Sequence, residues 1–193
     1  MSDIAGILLA AGSASRFGSD KLLHPLLTGV PIAVTAARRL KAALPRCVAV
    51  VRPGANELSA LLAAEGFEIA VCLNADEGMG ASLACAADAT GEADGYLIAL
   101  ADMPFIRASS MAAVRDALAE GAPLVAPYFR TRRGHPVGIA GRFRGDLLAC
   151  SGDEGARSVL AAHASELVKI PIGDPGVIRD IDTPGDLAPP VLV

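Results

Sequence analysis

A chain of 193 residues, 52% apolar and 20% charged, has the length of one domain with a sizeable core, and its composition excludes a disordered or low-complexity protein. A formal net charge of −4 argues against sequence-independent binding to nucleic acid, which needs a basic face, but leaves room for a local basic pocket. No stretch reaches the roughly 18–20 consecutive apolar residues of a membrane span. The N-terminus carries Asp3 and no cationic run, so no secretory signal is read there, and a cytoplasmic protein without membrane or nucleic-acid partners is expected.

In chain order, the first strand is expected over Ile4–Leu9, followed by a small-residue loop to Lys21. A helix over Pro31–Ala43, with proline in its first turn, leads to a strand over Cys47–Arg52, the Pro53-Gly54 turn and a helix over Ala55–Glu65. A strand over Glu68–Cys72, a helix over Gly80–Ala89 and a strand over Gly95–Leu100 come next. A helix over Ser109–Ala119 stops at Gly121. Strands over Leu124–Pro127 and Pro136–Ala140, helices over Phe143–Cys150 and Gly155–His163, and a strand over Leu167–Ile172 complete the pattern.

Strands alternating with helices imply βαβ units and an α/β fold: a Rossmann-like three-layer α/β/α sandwich with a mostly parallel sheet. One domain is expected over residues 1–187, with a short tail over 188–193. Ligands of such sheets bind beyond the carboxyl ends of the strands. The loops Ala10–Lys21 and Ala101–Pro104 both follow strands directly and are expected to face one cleft. Cys47, Cys72, Cys85 and Cys150 form no C-x-x-C pair, and the three histidines do not cluster with them. Free thiols are expected, and no zinc site.

The loop after the first strand carries the chemistry. It is neither a dinucleotide fingerprint nor a Walker A loop, because no G-x-G-x-x-G and no Gly-Lys-Ser/Thr is present there. Gly12, Arg16, Gly18 and Lys21 are instead spread over ten positions. Small residues let backbone N–H groups approach a polyanion, and Arg16 and Lys21 add positive charge at two points, as a triphosphate cradle requires. An ordinary strand-to-helix loop with solvated charges is the plain alternative.

Leu9-Ala10-Ala11-Gly12-x-x-x-Arg16-Phe17-Gly18-x-x-Lys21 resembles the signature of the molybdopterin-dinucleotide-type NTP transferases, within the group of glycosyltransferase-A-like (nucleotide-diphospho-sugar transferase) fold. Its Ala-Ala-Gly is more similar to the molybdenum cofactor cytidylyltransferases than to the guanylyl branch. Four further segments resemble the same family in the same order: Gly78-Met79-Gly80-Ala81-Ser82-Leu83, Asp102-Met103-Pro104, Arg133-Gly134-His135-Pro136-Val137 and Asp180-Ile181-Asp182-Thr183-Pro184. The resemblance spans residue 4 to about residue 187.

The resemblance implies an Mg²⁺-dependent nucleotidyltransferase that takes an NTP, CTP in the first place, and a phosphorylated small acceptor, molybdopterin. A molybdoenzyme or maturation partner would receive the product. Leu9, Ala10, Ala11, Gly12, Ser13, Arg16, Lys21, Gly80 and Ser82 would bind the nucleotide. Arg16, Lys21 and Asp102 would be catalytic, and Asp102 with Asp180 or Asp182 would hold the metal. Arg133 and His135 would face the acceptor. A carboxylate at a strand end suits oxygen-preferring Mg²⁺, and acids at i and i+2 of an extended segment point the same way. Taken singly, Asp102 also reads as a turn former before proline, Asp180 and Asp182 as an Asx turn or helix N-cap, and His135 as a turn histidine. Met103 stands where the cytidylyl branch commonly has Gln, and Gly185 where it commonly has an acid. Guanylyl transfer, transfer to another phosphorylated acceptor, and a non-catalytic nucleotide-binding partner of molybdoenzyme maturation stay open.

Overall fold

Two apolar runs form the centre of the sheet. β1 (Ile4–Leu9) and β4 (Gly95–Leu100) pair in parallel, with Leu9 level with Leu100. Their side chains alternate between two cores: Leu8, Leu97 and Ala99 face one, and Ile7, Tyr96 and Ile98 the other. A strand covered on both faces needs apolar residues in both phases of its two-residue period, hence the unbroken runs. The computed structural model describes residues 2–12 and 21–188.

β2 (Cys47–Val51) pairs parallel with β1, and β3 (Glu68–Val71) parallel with β2. On the other side, β7 (Val137–Ala140) pairs antiparallel with β4 and with β5 (Leu124–Phe129). β8 (Leu167–Pro171) runs parallel to β5, and the two-residue β6 (Arg132–Arg133) pairs antiparallel with it. The strand order is β3-β2-β1-β4-β7-β5-β6, with β8 branching from β5.

Helices cover both faces. Ile32, Leu40, Leu58, Leu62, Met111 and Val114 of α1 (Ile32–Lys41), α2 (Asn56–Ala64) and α4 (Ala108–Ala119) fill one core. Leu83, Ala87, Leu147, Val159 and Leu160 of α3 (Met79–Thr90), α5 (Arg144–Leu148) and α6 (Ala156–Ala162) fill the other. The result is the expected α/β/α sandwich with a mostly parallel sheet. Each expected strand and helix is present, and β1 and β4 have the expected bounds. β6 was not expected: its exposed arginines carry no apolar period, and only pairing with Tyr128 and Phe129 makes them a strand.

The four cysteines are free, and burial pushes the Cys47 thiol up to about 11. Among the described residues no helix is long and apolar enough to cross a membrane. Of the expected tail, only Ala188 lies within the described residues.

Candidate active site

The parallel ladders run on past the strand ends. Ala10 N–H donates to Val50 O at 2.9 Å, Cys72 N–H to Val51 O at 2.9 Å and Ala101 N–H to Leu9 O at 3.0 Å. The loops that follow therefore leave the sheet level with one another, at its carboxyl edge. Between them lies a cleft of about 750 Å³ lined by Leu9 at the end of β1 and Ala11 and Gly12 after it, Arg52 and Pro53 after β2, and Leu73, Ala75 and Asp76 after β3. Gly78, Met79 and Ser82 at the start of α3 complete the wall, with Lys21, Asp102, Asp153 and Asp182.

Lys21 joins the loops. Its Nζ donates to Asp102 Oδ2 at 2.9 Å and to Asp182 Oδ1 at 3.3 Å. The side chains of Lys21, Asp102 and Asp182 are 12%, 25% and 51% exposed, so the triad opens to solvent on the Asp182 side. Burial by itself lowers the affinity of the Lys21 ammonium for its proton, but the Asp102 and Asp182 carboxylates outweigh that and raise it above the ordinary lysine value. Lys21 thus stays charged at neutral pH.

Asp182 reaches this position because its neighbours are fixed. Ile181 is fully buried, and its N–H donates to Asp102 O at 2.9 Å. Beyond it, Thr183 and Asp186 form a reciprocal cap: the Asp186 carboxylate accepts from Thr183 N–H at 2.8 Å and from Thr183 Oγ1 at 2.7 Å. The hydroxyl of Thr183, its backbone N–H and that of Asp182 hold the Asp186 carboxyl below the usual range. The capping function before Pro184 thus belongs to Thr183 and Asp186, and the Asp182 side chain is turned to Lys21. Asp180 is exposed and is not a partner of Lys21.

The start of α3 is closely backed by the loop between α5 and α6. Gly78 has φ +118, and a Cβ there would stand 2.6 Å from Asp153 Oδ1. Gly80 allows the backbone of Ser151 to pass at a distance no side chain permits. Gly80 N–H donates to Gly152 O at 2.7 Å, so that donor is already engaged. Gly80 is buried, whereas Ser82 lines the cleft, its Oγ 3.5 Å from Gly78 O.

The other expected site residues are distributed as follows. Leu9, Ala11 and Gly12 line the cleft, and Ala10 is buried beside them. Ser13, Arg16 and Gly18 lie outside the described residues. Arg133 is exposed in β6, and neither it nor His135 lines the cleft. His135 N–H donates to Val177 O at 2.7 Å, and its ring Nδ1 is enclosed without a hydrogen-bond partner. Burial, helped by the Arg133 charge, pushes the His135 imidazole down to about 4, against opposing pulls from the Ile98 backbone and Asp180.

Three cleft residues and one structural acid escaped sequence reasoning. Arg52 donates through Nη2 to Ala11 O at 3.2 Å and to Gly12 O, clasping the loop after β1. The expected strand Cys47–Arg52 ran through it, so nothing in the sequence marked it as a cleft residue. Asp76 and Asp153 also line the cleft. Among the described lining residues, Asp76, Asp102, Asp153 and Asp182 face only Lys21 and Arg52 as full cations. Asp174, 2% exposed, accepts from Arg107 N–H at 2.8 Å, Ser110 Oγ at 2.7 Å and Gly176 N–H at 2.9 Å. It ties α4 to the segment that leads to Asp182.

Comparison with known proteins defines first a class and then a family. Rv0371c of Mycobacterium tuberculosis superposes with a TM-score of 0.83 at 22% identity, covering 96% of each chain, and a manganese complex of that protein superposes at 0.80. At that identity the likeness is one of fold. The family model of the MobA-like NTP transferase domain matches residues 6–167, and the chain belongs to this family. The bifunctional protein GlmU of Dinoroseobacter shibae is 36% identical over 128 residues, 63% of this chain, and this chain spans 28% of that protein's length. Nicotine blue oxidoreductase of Paenarthrobacter nicotinovorans is 28% identical over 188 residues, 93% of this chain and 92% of its own length.

Proposed function

We propose that this protein transfers a nucleoside monophosphate from an NTP to a phosphorylated acceptor and releases pyrophosphate. We take CTP as the donor and molybdopterin as the acceptor, on the resemblance of the Ala-Ala-Gly loop and the Arg-Gly-His-Pro segment. The observation that carries the reading is Lys21 held between Asp102 and Asp182 in a cleft at the carboxyl ends of β1 and β4. An acceptor phosphate attacks the α-phosphorus of the NTP. It is ionised at neutral pH, so the chain need supply no general base, and catalysis is positioning and charge neutralisation.

In this reading the backbone amides of Ala11 and Gly12 and the ammonium of Lys21 serve the phosphates and the leaving pyrophosphate, and on the resemblance alone Ser13 and Arg16 would join them. Arg52 holds the carbonyls of Ala11 and Gly12 away from that anion. Ser82 offers a hydroxyl to the base or ribose. Leu9 and Ala10 support the loop from below, and Gly80 lets α3 start close against residues 151–152. Arg133 and His135 are assigned to the acceptor on the resemblance alone.

The residues present fit Mg²⁺. Asp102 and Asp182 already converge on one ammonium at 2.9 and 3.3 Å, they are all-oxygen donors, and the carboxylates of the lining outnumber its described cations. Asp180 would join them only after turning toward the cleft. When bound, the cation supplies charge neutralisation and orientation of the phosphates. Isothermal titration with CTP, GTP, ATP and UTP, each with Mg²⁺, tests the reading. Binding confined to CTP supports it, a preference for GTP moves the protein to guanylyl transfer, and binding of no nucleotide overturns it.

A second reading, a redox enzyme, has one observation behind it: nicotine blue oxidoreductase matches this chain over 92% of its own length. Spectroscopic titration with NADH and NADPH separates the two. Tight binding of either, with none of the four NTPs binding, would favour the redox reading.

A further inference from the structure

Lys21 stands where two cations compete for the same oxygens. Its ammonium donates to Asp102 Oδ2 and Asp182 Oδ1, and it is largely shielded from water. A divalent cation bound by these acids needs those oxygens, and an ammonium left among them would be repelled at short range. The two acids do not depend on Lys21 for their approach, because the Ile181 N–H bond to Asp102 O holds their segments together. The backbone of Lys21 is anchored through buried Leu22 in the 3-10 turn Lys21–Leu23. The four-carbon stem can therefore swing while the turn stays in place. Arg52, the other cation among the described lining residues, is engaged with the Ala11 and Gly12 carbonyls. Among the described lining residues, Lys21 is thus the charge that can be handed to an arriving anion.

We infer that Lys21 is a built-in counter-ion of the Asp102–Asp182 pair, exchanged for a divalent cation when a polyphosphate enters the cleft. The ammonium passes from carboxylate to phosphate oxygens, and the cation takes the carboxylates. Metal and polyphosphate then each raise the affinity of the cleft for the other, by the same factor in both directions. The inference rests on the NTP-binding reading of the cleft and adds its order of assembly: the cation binds weakly by itself and firmly with the polyphosphate.

The test is Mn²⁺ binding, followed by the paramagnetic resonance of the free ion, for the wild type, Lys21→Met and Lys21→Gln. Each is titrated alone and then with CTP or inorganic tripolyphosphate. Without polyphosphate, both variants should bind Mn²⁺ about tenfold more tightly than the wild type, although both lose the phosphate contact. Polyphosphate should raise Mn²⁺ affinity by about tenfold in the wild type and by much less in the variants. Lys21→Arg, which keeps the charge, should bind Mn²⁺ as weakly as the wild type. If the wild type binds either polyphosphate while folded Lys21→Met and Lys21→Gln bind Mn²⁺ no better than it does, the exchange is wrong and the NTP reading survives. If the wild type responds to neither polyphosphate, the NTP reading itself falls, and the exchange with it. Should Lys21→Met fail to fold, Lys21→Gln decides.

Discussion

Asp102 and Asp174 are two aspartates beside the two ends of the β4–α4 connection, and they are satisfied in opposite ways. Asp174 is enclosed, and two backbone N–H groups and a serine hydroxyl hold it, with the Arg107 guanidinium only a distant fourth partner at 3.8 Å. Asp102 is a quarter exposed and is held by one long, flexible ammonium. Donors fixed in the backbone commit a carboxylate to the fold, whereas a donor at the end of a lysine stem leaves it free to change partners. The same chemical group is therefore structural in one place and available to a ligand in the other.

The largest effect that would break this contrast is at Asp102. Asp102→Asn should cut nucleotidyl transfer by about 10³-fold, roughly 4 kcal/mol of transition-state stabilisation, with little change in melting temperature. Pyrophosphate release and a thermal melt measure the two halves, and full activity in the variant would remove Asp102 from the reacting centre. Asp174→Ala should do the reverse, costing about 3 kcal/mol of folding stability by leaving its buried donors unpaired. Urea denaturation reads that loss, and a shift under about 1 kcal/mol would mean that water replaces the carboxylate easily.

His135 sharpens the contrast by adding an enclosed group that titrates. Its folded-state value, about 4, lies below the ordinary 6.5, so the unfolded chain takes up a proton that the folded one refuses. Stability should be fully present above pH 6.5 and fall as the pH drops toward 4, by about 2–3 kcal/mol near pH 4.5. Denaturation of His135→Gln across that window should show a flatter profile, and parallel profiles would refute the assignment. The smallest effect is at the cap beside Asp182. Thr183→Ala should cost about 1 kcal/mol. By loosening Asp182 it should also weaken Mn²⁺ binding in the presence of NTP more than it lowers the melting temperature.

The fold was legible where burial on both faces forces an unbroken apolar run, as in β1 and β4. It was less so where partners decide. Nothing in Val137–Ala140 tells which way that strand runs, because alternation carries no direction, and the antiparallel placement of β7 between β4 and β5 is a tertiary result. For the candidate site, Lys21, Asp102 and Asp182, which line the cleft, stood out in the sequence through the family resemblance. Their meeting at one ammonium did not, since it depends on the Ile181 contact. Arg52 and Asp174 were invisible for a related reason: each acts on backbone groups distant in the chain, and a single charged residue after a strand or before a proline has no period to betray it.

The Lys21–Asp182 pair spans 161 positions. Contacts of such separation come with a high entropy of chain closure and tend to form late in folding. During synthesis from the amino end, β1, β4 and Asp102 can assemble while Asp182 is still to be added. Lys21 acquires its second carboxylate partner only when the segment around Ile181 docks. A chain whose end has not docked would thus lack both the packing of Ile181 and the full Lys21 cluster, so the last part of the core and the last part of the cleft close in one event.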